Sequence, residues 1–204
     1  KFYLIELDNE LYSILKKKYI KNKNIIIYNA NILNINFKQI INKKITIIGN
    51  LPYNISLKII NHLTRYINII KYTKIMIQKE VYERINSLPN KKKYNDLSLI
   101  IQLNYKIINL MNLNNKCFYP QPSINSNFIQ LSQKYKLKNK LLNIKHFHKL
   151  IKILFQNKRK KINFILKNIF FKNKCKKNNL IIRAENVSLH KYIKIINKYS
   201  IEKI

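Results

Sequence analysis

The chain has 204 residues, with 41 Lys and Arg against 8 Asp and Glu, a net charge of +33, and a hydrophobic fraction of 47%. That fraction excludes wholesale disorder, and the length suffices for one full domain and a small second one. No apolar run approaches the roughly 20 residues that span a bilayer, and no stretch reads as a secretory signal, so no membrane role is expected.

In chain order, residues 2–7 (FYLIEL) predict a short buried strand that ends on an acid. Asp8 suits a helix N-cap, and Leu11, Ile14 and Leu15 give helical spacing to about residue 18. Residues 24–29 (NIIIYN) and 44–50 (KITIIGN) predict two further strands. Ile55, Ile59, Ile60, Leu63 and Ile67 predict a helix from 55 to about 70. A strand follows at 73–78 (TKIMIQ), then a short helix at 79–85 (KEVYERI) and a basic loop at 88–96. Signals at 97–105 are mixed, 107–113 can form a strand, and the Pro-rich 117–126 (CFYPQPSINS) breaks regular structure. Residues 124–131 predict the last strand. Beyond about Lys134 the pattern turns to Lys-rich helices, with Phe147, Leu150, Ile151, Leu154 and Phe155 on one face. A boundary near 133–143 separates an α/β domain, residues 1–133, from a helical domain, residues 134–204.

Strands alternating with helices argue for a largely parallel sheet, and the apolar runs FYLI, IIIY and ITII fit strands buried on both faces. Ligands on such sheets bind beyond the carboxyl ends of the strands. The residues there are Glu6, Asn29 to Asn31, Gly49 to Tyr53, and Gln78 to Glu80.

Lys, Asn, Ile and Tyr share A/T-rich codons, so mutational bias is expected to inflate the basic count without selection for binding. A field of this sign still favours polyanions and makes their affinity salt-dependent. Cys117 and Cys175 form no CxxC pair and no disulfide framework, which fits a reducing, cytoplasmic compartment. His146 and His148 have no carboxylate or thiol near them in sequence and read as solvated helix positions; no metal is expected.

The one glycine, Gly49, precedes Asn50-Leu51-Pro52-Tyr53. An exocyclic amine on a nucleobase is a poor nucleophile, because its lone pair is delocalised into the ring. Two fixed acceptors against its N–H groups help, and the Asn50 side-chain oxygen and the Leu51 carbonyl can supply them. Pro52 fixes the dihedral that aims the carbonyl, Tyr53 offers a face for stacking, and Gly49 permits a sharp turn or a close approach. Such an arrangement is preorganised and needs no titrating base.

The quartet resembles the motif of N6-adenine methyltransferases. The wider pattern resembles the ribosomal RNA small-subunit adenine N6-dimethyltransferase family through IELD (5–8), NLPYNIS (50–56), MIQKEV (76–81), YNDLS (94–98), CFYPQPSINS (117–126), FQNKRKKI (155–162) and RAENVS (183–188). The resemblance implies a Rossmann-like class I methyltransferase domain with a small helical C-terminal domain. It implies S-adenosylmethionine as cofactor, two adjacent adenosines near the 3′ end of small-subunit rRNA as substrate, a 30S-type subunit as partner, and a cytoplasmic monomer. By position, Asn50, Leu51, Pro52, Tyr53 and Phe118 match the target-base site, Phe118 closing on the base opposite Tyr53. Glu6, Leu7, Asn31, Ile32 and Asn50 match the cofactor site, with Glu6 on the ribose hydroxyls and Asn31, usually Asp in the family, on the adenine. Lys158, Arg159, Lys160 and Lys161, read as part of a basic run on a helix, match RNA-gripping positions. In RAENVS, Arg183 and Glu185 are expected to pin a helix start, with Asn186 or Ser188 as its cap.

The sequence begins at what the family would number as its second strand, without the first strand and its glycine-rich turn. The strand ending at Glu6 and the one ending at Asn50 are then expected not to pair, and these residues alone to bind the cofactor poorly. Three other readings stand beside the enzyme: an RNA-binding ribosome-assembly factor without catalysis, the related large-subunit methyltransferase of macrolide resistance, and a mitochondrial transcription factor derived from the family.

Overall fold

The structure is a computed structural model that describes residues 1–134, 140–169 and 182–200. Part of the expected boundary at 133–143, and Cys175, lie outside the described residues. Strand β1 (Phe2–Glu6) leads into α1 (Asn9–Tyr19), whose cap is Asp8: its carboxylate accepts from the backbone N–H groups of Glu10 and Leu11. β2 (Ile25–Asn29) pairs in parallel with β1, placing Glu6 beside Asn29. A short helix α2 (Phe37–Ile40) precedes β3 (Ile45–Asn50), which pairs in parallel with β4 (Ile70–Gln78). No ladder joins β1 to β3 among the described residues.

The helix expected over 55–70 is shorter. α3 (Ser56–Leu63) passes into a 3-10 turn at Thr64–Tyr66, and the chain then enters β4 at Ile70. Ile67 and Ile70 are buried all the same, and the ladder partner of Ile70 is Ile45. The periodicity that suggested one long helix is thus shared between a helix face and a strand entry.

The larger sheet runs β3-β4-β6-β5, with β5 at Tyr105–Leu113 and β6 at Ser126–Gln133. It is mixed rather than largely parallel, because β6 is antiparallel to both β4 and β5. The Pro-rich connection, residues 114–125, returns β6 alongside β5. Helices α4 (Lys79–Ile85) and α5 (Asp96–Asn104) sit between β4 and β5 in sequence. The mixed signals over 97–105 resolve into α5, fixed by a capping box between Asn95 and Ser98.

Three apolar clusters hold these parts. One packs Tyr3, Ile5 and Ile32 from the β1–β2 side against Ile47, Ile59 and Leu63, so both sheets share a core. A second joins Ile75, Ile77 and Ile129 of the larger sheet to Ile60, Val81 and Ile101. The third gathers α6 (Ile144–Gln156), α7 (Ile162–Ile169) and α8 (Leu189–Ser200), and includes Tyr94, Leu99 and Leu103 from the earlier part of the chain. Each buried Ile, Leu or Phe contributes about 1.5–3 kcal/mol, so that shared seam binds the C-terminal helices firmly. The α6 face is the expected one, with Phe155 half-buried at its margin.

His146 and His148 are half-buried rather than solvated, because they flank buried Phe147 on either margin of the packed face of α6; His148 lies edge-on to Phe147 at 6.0 Å. Burial lowers the pKa of each below the ordinary 6.5.

Candidate active site

β3 carries the chain to Asn50 beside Met76 of β4. The turn that follows is held by its own backbone: Ile55 N–H donates to the Pro52 carbonyl at 3.2 Å, and the Ser56 hydroxyl donates to the Tyr53 carbonyl at 3.1 Å. Those bonds occupy the carbonyls on either side of the motif's end but leave the Leu51 carbonyl without a hydrogen bond among the described residues. The exposed Asn50 carboxamide is likewise uncommitted. Two adjacent oxygens are therefore available to an amine at the end of β3. The Leu51 side chain is half-buried between two of the core clusters, which fixes its backbone from below.

Gly49 is not a turn residue here. Its φ is not positive, and it lies within β3. A Cβ added to it would meet Leu51 Cδ2 at 3.2 Å. The glycine makes room for the Leu51 side chain to fold back on the strand, and so acts on the motif by close approach.

The Tyr53 hydroxyl lies 2.7 Å from Ser126 Oγ, across 73 residues of sequence. Ser126 is buried and is the ladder partner of Gln78, so the bond reaches from the β3 turn over the end of β4 to the start of β6. It pins the half-buried Tyr53 ring from its far end. Phe118 follows a 3-10 turn at Asn115–Cys117 and is half-buried. That loop is closed at its base: Asn115 N–H donates to Asn125 Oδ1 at 3.0 Å, and the Asn115 side chain donates to the Pro122 carbonyl at 3.1 Å. Tyr53 and Phe118 are thus both referenced to the first residues of β6. No ring contact joins them to each other among the described residues.

On the β1–β2 side, Glu6 Oε1 accepts from Asp8 N–H at 2.9 Å, which orients the carboxylate and leaves Oε2 uncommitted. Leu7 is exposed, and Ile32 is half-buried on the shared core. Asn31 Oδ1 accepts from Leu33 N–H at 2.9 Å, capping a 3-10 turn and leaving the side-chain NH2 free. The carboxyl ends of β1, β2 and β3 thereby present Glu6, Asn31 and Asn50 around one core.

The basic run Lys158, Arg159, Lys160 and Lys161 is not helical. α6 stops at Gln156, where Asn157 takes a non-helical conformation, and α7 starts only at Ile162. All four are exposed; Lys160 Nζ lies 5.3 Å from the Phe164 ring, and the Lys161 backbone pairs with that of Arg183 in an isolated antiparallel β-bridge. Lys158 also lines a cleft of about 600 Å³ with Arg84, Lys92, Lys93 and Lys152, facing Glu80. In the segment 183–188, Ser188 Oγ accepts from Lys191 N–H at the start of α8, whereas Asn186 donates to Asn90 Oδ1 at 2.7 Å.

Sequence reasoning missed Ser126 as the anchor of Tyr53. It stands at the end of the quoted Pro-rich stretch, but its partner is far away in sequence, and only the β4–β6 register brings the two together. Among the described residues no group of three or more His, Cys, Asp or Glu is placed to hold a metal, and no helix is long and apolar enough to cross a membrane.

A mixed sheet with helices, ending in an Asn-Leu-Pro-Tyr turn beside a carboxylate-bearing strand, defines a class I methyltransferase-like protein. Solved structures bear out the fold. A dimethyladenosine transferase from Plasmodium falciparum superposes with a TM-score of 0.81 at 22% identity, over 98% of this chain and 82% of that one. The 23S rRNA methyltransferase ErmE superposes with a TM-score of 0.70 at 14% identity, over 97% and 81%. The sequence model of the family described as ribosomal RNA adenine dimethylase matches residues 1–202. Ribosomal RNA small subunit methyltransferase A of Buchnera aphidicola is 39% identical over 95% of this chain and 72% of its own length. The protein of the same name from Borreliella burgdorferi is 34% identical, over 94% and 68%. The chain belongs to the ribosomal RNA adenine dimethylase family.

Proposed function

We propose that this protein transfers methyl groups from S-adenosylmethionine to N6 of two adjacent adenosines near the 3′ end of small-subunit rRNA. The cofactor supplies an electrophilic methyl group. Glu6 accepts from the ribose hydroxyls through Oε2, and Leu7, Asn31 and Ile32 border the adenine. The uncommitted Asn50 oxygen and Leu51 carbonyl accept the two N–H bonds of the target amine. That draws electron density onto nitrogen and aligns its lone pair for in-line attack. Pro52 holds the carbonyl's aim, while Tyr53 and Phe118 close on the base from opposite sides. The adenosines must leave their stack to reach this site. Residues 134–204 form the RNA-gripping part, with Lys158, Arg159, Lys160 and Lys161 on phosphates. The protein works as a cytoplasmic monomer on the small ribosomal subunit.

The observation that carries this reading is the pair of adjacent oxygens at Asn50 and Leu51 without donors among the described residues, beside a tyrosine ring anchored at Ser126. Dimethylated adenines stop reverse transcriptase, so primer extension on treated RNA reads the reaction. Wild-type protein with cofactor should give a double stop; Asn50→Ala should remove it while RNA affinity stays within about twofold, because one exposed carboxamide adds little to a phosphate-dominated interface. Full read-through with the wild-type protein would leave RNA binding, not methylation, as its activity.

A further inference from the structure

A second cavity, of about 300 Å³, lies beside Ser126 and has no part in the reading above. Lys79, Asn112, Asn114, Asn125 and Asn127 line it. The oxygens of three of these carboxamides are already used. Asn112 Oδ1 accepts from Asn109 at 2.8 Å and Asn127 at 2.7 Å, Asn114 Oδ1 accepts from Lys116 N–H at 3.0 Å, and Asn125 Oδ1 accepts from Asn115 N–H at 3.0 Å. The NH2 groups of Asn112, Asn114 and Asn125 have no acceptor among the described residues. With the Lys79 ammonium, the cavity presents three neutral donors and one cationic one. Among the carboxamides of its wall the uncommitted acceptor is Asn127 Oδ1, since the Asn127 NH2 is spent on Asn109 and Asn112. Asn127 is 3% exposed, so the network that sets these orientations is built into the sheet.

The geometry points to this cavity as a phosphodiester subsite for the strand that carries the target adenosine. A phosphate offers acceptor oxygens and negative charge, which matches a wall of donors with one cation. The Asn127 acceptor suits a neighbouring ribose hydroxyl. Placement fits as well: Ser126 lines the cavity and also anchors Tyr53, so a nucleotide flipped against that ring has its backbone at the cavity. The subsite orders the backbone next to the target, and this choice of strand rests on the adenine-site reading.

The test measures binding of an RNA hairpin with two adjacent loop adenosines, by fluorescence anisotropy across a salt series. Asn114→Asp and Asn125→Asp each keep the oxygen that accepts a backbone N–H and replace the NH2 with a negative oxygen. Each should weaken binding about tenfold with unchanged thermal unfolding. Lys79→Ala should lower the salt slope by about 0.7, the value for one phosphate on a single strand. A neutral methylphosphonate, placed in turn on each side of the target adenosine, should weaken wild-type binding at one position and add no loss there to Lys79→Ala. Lys17→Ala, on the exposed face of α1, should show no such coupling. The proposal is overturned if the Asp variants bind like wild type, if Lys79→Ala and Lys17→Ala behave alike, or if losses from the methylphosphonate and Lys79→Ala simply multiply at both positions. Methyl transfer is scored separately: intact transfer with an unaltered Lys79→Ala removes the subsite alone, and normal coupling without transfer removes the enzyme reading alone.

Discussion

The Tyr53–Ser126 bond offers a direct measurement of how the motif is held. Ser126→Ala removes the hydroxyl that meets the Tyr53 ring end at 2.7 Å in a partly buried setting. A neutral hydrogen bond of this kind contributes about 1 kcal/mol net. Tyr53 is half-buried, so its freed hydroxyl can turn to water, and the larger penalty of a sealed unpaired group does not apply. Ser126→Ala should therefore cost about 1 kcal/mol in urea unfolding, or about 2–4 °C in Tm, whereas Tyr53→Phe, which strands the buried Ser126 hydroxyl, should cost about 1–3 kcal/mol. Because both remove the same bond, the double variant should cost little more than either one, a coupling close to 1 kcal/mol. Loss of the pin should also lower kcat by about fivefold with little change in KM, since a looser ring spends less time aligned. Strict additivity in the unfolding cycle, or unchanged kcat in Ser126→Ala, would show that the bond does not position the ring.

Gly49→Ala should fold, because Gly49 has no positive φ and the added Cβ meets only the movable Leu51 Cδ2 at 3.2 Å. Its cost in stability should stay near about 1 kcal/mol, while displacement of Leu51 lowers methyl transfer clearly; an unfolded variant in circular dichroism would contradict the close-approach account. Tyr94→Phe strands the buried Val187 carbonyl that now accepts from Tyr94 at 2.8 Å. It should lose about 1–3 kcal/mol, read as a lower urea midpoint. Burial holds His62, His146 and His148 below their ordinary 6.5. The unfolded chain therefore binds protons that the folded one refuses. Stability is complete above about pH 6.5 and falls as pH drops toward the folded values, by up to about 1.4 kcal/mol per unit for each imidazole. Urea midpoints at pH 7.5, 6 and 5 check this, and a flat profile would refute it.

Much of the fold was legible because strands write themselves as short apolar runs, although β1, β2 and β3 are not buried on both faces as expected: none of their residues is fully buried, and Ile48 is 75% exposed. FYLI, IIIY and ITII became β1, β2 and β3 nearly residue for residue. What resisted was whatever depends on pairing. Ile67 and Ile70 fit a helical period, yet one closes a turn and the other opens a strand, and a helical count cannot tell these apart. The antiparallel return of β6 lies in its pairing with β4 and β5, which periodicity does not register. The basic run beside α6 looked helical in composition, but Asn157 takes a non-helical conformation and ends the helix first.

The candidate site divides in the same way. Asn50, Leu51 and Tyr53 are contiguous, and their chemistry could be read from order alone. Their support is not contiguous, since Ser126 is brought in by β6 and the Leu51 side chain is seated by two separate clusters. Asparagine shows the difference most sharply. As a composition it reads as codon drift, and for exposed positions that reading costs nothing. Asn109, Asn112 and Asn127 are a different case, because two antiparallel strands place them within hydrogen-bond reach of one another. A carboxamide has one acceptor oxygen and one NH2, so spending the oxygen inside the protein turns its outward end into a donor. The orientation of each amide, and with it the sign of the ligand it selects, follows from ladder register and loop closure. Drift can supply the asparagines, but the sheet decides what they recognise.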